Sequence, residues 1–176
     1  TLDRSSAASD VYKRQLDSLS LRLDDLSDPR IATFMEEHLQ DMRVTSPPES
    51  VHALDMDQLR RPEIRFWTAW LPDDTEPAPG RLVGTGALKH LSADHVELKS
   101  MRSAESLRGL GLGRAILEHI LGQAVDLGYQ RISLETGTQP FFEPAHQLYL
   151  RYGFTDCAPF GSYQLDPHSR YMSRAL

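Results

Sequence analysis

Leu19, Leu21 and Leu23 alternate with polar neighbours, the period-two pattern of a strand with one buried face. Asp28-Pro29 then supplies a helix-capping carboxylate followed by proline at the first helical position. Ile31, Phe34, Met35, His38, Leu39 and Met42 recur at spacings of three and four, which predicts one apolar helix face. Thr45-Ser46-Pro47-Pro48-Glu49 ends that helix, because proline lacks the N–H and disfavours a helical residue before it. A short helix is expected over 50–60. Ile64–Leu71, rich in aromatic and branched residues, reads as a second strand.

The segment 72–80 holds three prolines, a glycine and several acids, so it reads as a solvated loop joining two antiparallel strands. Strands are expected over 82–91 and His95–Ser103, and the second runs into a turn with Gly109, Gly111 and Gly113. The helix after that turn puts Leu112, Ala115, Ile116, His119, Ile120, Ala124 and Leu127 on one face, widened by Leu117, Leu121 and Val125. Gly128 ends it as a C′ residue would. A strand over 131–135, a helix over 144–152 and a closing pair of strands from Phe154 complete the chain. The pattern predicts a single α/β domain over 16–176, with a mixed central sheet flanked by about four helices. An antiparallel meander comes first in that sheet, then a parallel pair.

Residues 1–15 are set apart. They are rich in Ser, Ala and charge, carry no sustained apolar period and lack the apolar core of a signal peptide. The run from Ser6 to Gln15 reads as a translated cloning adaptor or a disordered tail, and 1–15 is expected to be a non-native or disordered lead.

Composition narrows the function. A chain of 176 residues with 40% hydrophobic content has core enough for one domain. A net charge of −6 argues against a general nucleic-acid binder, which normally carries a basic face. The apolar runs are too short to span a bilayer, and a soluble cytoplasmic protein is expected. Cys157 is the only cysteine, so no internal disulfide forms, and no histidine or glycine elbow accompanies it as a nucleophile. His146 and His168 show no metal-ligand spacing, and no metal site is expected.

The glycine turn carries the chemistry. A strand, a glycine-rich turn and an apolar helix in that order place bare N–H groups at a helix N-terminus, where the aligned peptide dipoles favour an anion. Glycine has no Cβ to hold a phosphate away from those donors. A dinucleotide fingerprint places its first glycine directly after the strand, whereas 103–107 intervene here. A phosphate-binding Walker loop ends in Gly-Lys-Ser/Thr, whereas Gly113 precedes Arg114-Ala115.

Arg108-Gly109-Leu110-Gly111-Leu112-Gly113 resembles the Arg/Gln-x-x-Gly-x-Gly/Ala signature of the GNAT superfamily of acyl-CoA-dependent N-acyltransferases. Ala145-His146-Gln147-Leu148-Tyr149 and Gly153-Phe154 resemble its second signature, Asn-x-x-Ala-x-x-Leu-Tyr followed by Gly-Phe. Ser46-Pro47-Pro48-Glu49, Phe66-Trp67-Thr68-Ala69-Trp70 and Ser133-Leu134-Glu135-Thr136-Gly137 are similar to bacterial members of the YsnE-like branch. The resemblance implies a GNAT fold and acetyl-CoA as acyl donor. It also implies transfer of the acetyl group to a primary amine of a small molecule or peptide by direct attack in a ternary complex.

Position by position, the resemblance assigns the backbone of Met101, Arg102 and Ser103 to the pantetheine arm. It assigns Arg108, Gly109, Leu110, Gly111, Leu112, Gly113 and Arg114 to the pyrophosphate. Tyr149 falls at the general-acid tyrosine that protonates the departing thiolate. Attack on a thioester needs a neutral amine, which an ordinary ammonium seldom is at neutral pH, so a base is required. Glu97, where some members place a carboxylate, is the first candidate, and Glu135 on the adjacent strand is the second. By strict alternation Glu97, Lys99 and Met101 share a strand face.

One position departs from the family: Phe142 stands where its asparagine contacts the cofactor, and a ring cannot replace that amide bond. The aromatic stretch 140–144 is an alternative apolar wall beside the acyl group. Acceptor recognition is expected near His38, Ser46, Glu49, His52, Trp67 and Trp70, with the loop 45–51 as its gate and Arg102 as a grip for a carboxylate. No nucleic-acid or membrane partner is expected, and a homodimer is one option for assembly. The rival reading is a non-catalytic acyl-CoA-binding or sensing module that keeps the cradle and lacks the acid–base pair.

Overall fold

The computed structural model describes residues 10–11 and 13–176. Much of the expected lead, 1–15, lies outside the described residues. Residues 13–16 are helical across the boundary between the expected lead and the domain, and Leu16, the first residue of the domain, packs against the core.

The elements are β1 (Ser20–Leu23), α1 (Pro29–Thr45), α2 (Met56–Leu59), β2 (Ile64–Leu71), β3 (Arg81–His90) and β4 (His95–Ser103). They continue with α3 (Leu112–Asp126), β5 (Arg131–Gly137), α4 (Glu143–Arg151), β6 (Thr155–Asp156) and β7 (Ser169–Ala175). The strands form one sheet in the order β1-β2-β3-β4-β5-β7-β6. Neighbours from β1 to β4 are antiparallel, β4 and β5 are parallel, and β5–β7 and β6–β7 are antiparallel. This is the expected meander followed by a parallel pair.

Each face of the sheet has its own core. On one, α3 and α4 bury Leu112, Ile116, Leu117, Ile120 and Tyr149 against Val83, Leu88, Val96, Leu98, Ile132 and Leu134. Each fully buried aliphatic side chain there contributes about 2 kcal/mol relative to exposure. On the other face, α1 and α2 bury Ile31, Phe34, Met35 and Leu59 against Phe66, Trp70 and Ala87. Trp67 joins the first core and Trp70 the second, which makes both tryptophans structural.

Helix α1 starts as the sequence indicates: the Asp28 carboxylate accepts from Arg30 N at 2.9 Å, and Pro29 occupies the first turn. Four expectations change, the first being that Leu23, at the end of β1, is exposed and does not join Leu19 and Leu21 against the core. The helix expected over 50–60 shrinks to Met56–Leu59, because Asp55 and Gln58 form a reciprocal capping box that fixes its start late. The apolar stripe of α3 is narrower than predicted, since Val125 and Leu127 are exposed. Met101 does not share a face with Glu97 and Lys99. A bulge between β3 and β4, with Ser100 at a φ of 54°, inserts one residue and flips Met101 to the α3 side.

Candidate active site

The bulge also opens the site. β4 and β5 pair from His95↔Arg131 to Leu98↔Leu134 and no further. Beyond that point β4 stays on β3 to Ser103, while β5 stays on β7 to Gly137. The facing edges of 99–103 and 135–137 therefore part, and their backbone N–H and C=O groups have no ladder between them. Thr85 Oγ1 donates to Ser100 O at 2.8 Å and holds the bulge in shape.

Among the described residues, the buried side-chain polar atoms without a partner are Ser100 Oγ, Arg102 Nε, Gln139 Oε1 and Ser169 Oγ. Ser100 and Arg102 belong to the free half of β4. Gln139 follows the end of β5, and Ser169 is the register partner of Gly137. Buried polar groups nearly always have a partner. Three of the four residues lie on or directly after the parted strands, and Ser169 sits on the neighbouring β7.

Beyond Ser103, the end of β4, the chain runs into the glycine turn. Gly109 and Gly111 have φ of 79° and 93°, the left-handed region that glycine enters without strain. Gly111 is the N-cap of α3, and the first intrahelical bond runs from Ala115 N to Gly111 O at 3.0 Å. The N–H groups of Leu112, Gly113 and Arg114 precede that bond and lack intrahelical acceptors. A Cβ at Gly109 would meet nothing within 4 Å, so the turn is open on its outer side.

The side chains of the turn have partners within the chain. Leu112 is buried, and Leu110 packs against the same core. Arg114 Nε bonds Glu118 at 3.0 Å on the surface. Arg108 places its guanidinium 5.6 Å from the centre of the Phe141 ring. On β4, Ser103 pairs with Gly84, and its Oγ lies 3.5 Å from where a Gly113 Cβ would stand. Arg102 donates to Asp41 Oδ2 at 2.6 Å with its guanidinium over the Phe34 ring. It bolts β4 to α1, so its charge is already met by an acid of this chain.

Chemistry-bearing groups gather where β4 and β5 part, on the face covered by α1. Lys99 Nζ donates to Glu97 Oε1 at 3.1 Å and to Tyr163 Oη at 2.8 Å, and Tyr163 Oη donates to Glu97 Oε1 at 2.5 Å. The Glu97 and Lys99 side chains are only 3% and 9% exposed. Burial, with the Glu97 carboxylate beside it, pushes the Tyr163 phenol far up and keeps it a donor. Glu135 is the first residue of β5 beyond the ladder, as Lys99 is of β4. Burial raises the Glu135 carboxyl to about 7, against the pull of Lys99.

Two loops cover this cluster. Ser50 Oγ donates to Asp166 Oδ2 at 2.6 Å, which pins the expected gate over 45–51 to the segment between β6 and β7. His52 meets the Tyr163 ring edge-on at 5.0 Å, and burial lowers its pKa, as does the charge of Lys99. His38 is buried within α1. Tyr163 and Asp166 carried no sequence signal: they lie in a loop without periodicity, and only the fold brings them to Glu97.

Tyr149 lies on the opposite face of the sheet, buried on α4 with its ring 5.6 Å from that of Phe154. Burial pushes its phenol upward, so it stays protonated.

Residues 31–154 match the family model described as the acetyltransferase (GNAT) family. The chain belongs to that family. Its members use acetyl-CoA as acyl donor. The chain is 44% identical over 158 residues to YsnE of Bacillus subtilis, named an uncharacterized N-acetyltransferase, covering 90% of this chain and all of YsnE. It is 46% identical over 157 residues to YedL of Escherichia coli, with the same designation, covering 89% of this chain and 94% of YedL. Its fold superposes on that of a GNAT acetyltransferase from Elizabethkingia anophelis, solved with acetyl-CoA bound. The TM-score is 0.62 at 15% identity, over 91% of this chain and 99% of that one. Among the described residues, no helix is long and apolar enough to cross a membrane.

Proposed function

We propose that this protein transfers an acetyl group from acetyl-CoA directly to a primary amine of a small molecule or peptide, within a ternary complex in the cytoplasm. The observation that carries the reading is the placement of Glu135 and Tyr149 on opposite faces of the sheet, either side of the parted strands. An amine arriving from the α1 face meets a carboxylate poised near neutrality, and a thiolate leaving toward the α4 face meets a phenol kept protonated. The N-acetyltransferase designations of its relatives support an amine acceptor.

In this reading the backbone of Met101, Arg102 and Ser103 holds the pantetheine arm, and that of 108–114 holds the pyrophosphate. Of the two carboxylates, Glu135 is the better proton acceptor. Glu97 is committed to Lys99 and Tyr163, and its part is to hold that ammonium in place. Once Glu135 is ionised, the cluster carries two carboxylates against one lysine, which favours an acceptor ammonium.

Thiol release from acetyl-CoA, followed across a panel of primary amines, amino acids and short peptides, tests the proposal. Amine-dependent release that Glu135→Gln abolishes supports it. Tight acetyl-CoA binding without amine-dependent release would instead favour an acyl-CoA sensor.

A further inference from the structure

The segment after β5 departs from the family asparagine and carries two adjacent phenylalanines. Its 3₁₀ turn, Pro140–Phe142, brings the Phe142 ring down on Gly137. A Cβ built on Gly137 would stand 2.2 Å from Phe142 Cε2 and 2.5 Å from Cδ2, so the ring occupies the space that any other residue at 137 would fill. This wedge fixes the turn. Phe141 meets Phe142 edge-on, with centroids 5.1 Å apart and planes at 88°, and is carried outward with 43% of its surface exposed.

The guanidinium near Phe141 comes from the other wall. Arg108 follows β4 and opens the glycine turn, whereas Phe141 follows β5, yet the two side chains meet at 5.6 Å. An exposed aromatic face and a cation therefore stand together beyond the ends of the parted strands, beside the N–H groups that precede α3. Aromatic rings stack on nucleobases whatever the base, because every base offers a π-face. A guanidinium suits phosphate oxygens. The Phe142 ring is anchored on Gly137, and the Phe141 ring is left exposed to solvent beside Arg108.

We propose that Phe141 is the stacking platform for the adenine ring of acyl-CoA, with Arg108 beside it holding the phosphate of the same adenosine. The platform rests on the reading of the glycine turn as the pyrophosphate site. It gives Phe142 a purpose as well: locked on Gly137, it presents Phe141 in a fixed pose, so that base stacking supplies affinity where the family's amide contact is missing.

Calorimetric titration with CoA, 3′-dephospho-CoA and 4′-phosphopantetheine, which lacks the adenosine, tests this without any turnover. Phe141→Ala should weaken CoA and 3′-dephospho-CoA binding by roughly tenfold and leave 4′-phosphopantetheine binding unchanged. Phe141→Trp should restore the loss. Arg108→Ala should weaken CoA more than 3′-dephospho-CoA. Unaltered CoA affinity in Phe141→Ala, or an equal loss for 4′-phosphopantetheine, overturns the platform alone. Failure of the wild-type protein to bind any of the three overturns the pyrophosphate reading with it. Because Phe141 is partly exposed, melting curves are expected to show the alanine variant folded.

Discussion

Tyr163 donates a 2.5 Å hydrogen bond to Glu97, joining the loop between β6 and β7 to the middle of β4. The bond closes a triangle with Lys99, in which the ammonium donates to both oxygens. All three groups are shielded from water, so removing a member leaves the others short of a partner. Tyr163→Phe is expected to cost about 1–3 kcal/mol, the penalty for a buried polar group left unsatisfied. Lys99→Met should cost more, about 3–5 kcal/mol, because it strands the Glu97 charge in a low-dielectric setting. Urea denaturation of the two variants tests that order, and Glu97→Gln combined with Lys99→Met should recover part of the larger loss. Equal, negligible losses would mean the triangle contributes nothing to stability.

Glu135 makes stability depend on pH. Its carboxyl is raised from 4.5 to about 7 in the folded protein, chiefly by burial. The folded state thus binds more protons than the unfolded chain between those two values, and stability falls as pH rises through that window. The full effect amounts to about 3 kcal/mol. Melting temperatures recorded from about pH 4.5 to about pH 8 should decline for the wild-type protein more steeply than for Glu135→Gln. The same proton governs the proposed reaction, so kcat/KM should rise with pH through about 7. Glu135→Gln should lower it by roughly 10²–10⁴ and remove that dependence.

Gly111 caps α3 at a φ of 93°, where an alanine Cβ meets its own backbone. Gly111→Ala should therefore cost about 1 kcal/mol in unfolding free energy. A Cβ there would also stand beside the N–H groups assigned to the pyrophosphate, so acetyl-CoA affinity should fall more than stability. Differential melting with and without acetyl-CoA separates the two, since a variant that binds less tightly gains less in melting temperature from the same ligand concentration.

The elements of the fold were legible because each had a local cause: Asp28-Pro29 for the start of α1, three glycines for the turn into α3, and strand-like composition for β2. The active-site cluster was legible only in part. Glu97 and Tyr149 were reached through family likeness, and Glu135 through its strand. Met101 takes the face opposite to the one alternation predicts, because alternation assumes a period of two and the bulge at Ser100 adds a residue that nothing in 97–103 announces. Tyr163 is illegible in the sequence for another reason. It lies 66 residues from Glu97 in a loop, and only the pairing of β7 with β5 returns that loop to β4.

Tyr149 tests the leaving-group half of the mechanism. Its ring is held by Phe154 and the α3–α4 core, so Tyr149→Phe keeps the packing and removes only the hydroxyl. Burial raises its phenol above the ordinary value, so the proton stays on the oxygen and is available as a hydrogen bond to a developing thiolate. If the hydroxyl serves as the acid, the variant should lose roughly 10²–10⁴ in kcat while acetyl-CoA affinity and melting temperature stay unchanged. A leaving group that needs no proton separates catalysis from packing. Acetyl thioesters of more acidic thiols should narrow the gap between variant and wild type, because their thiolates depart without help. A gap that stays constant across such donors, or no fall in kcat at all, would leave Tyr149 as a core residue and move the acid elsewhere.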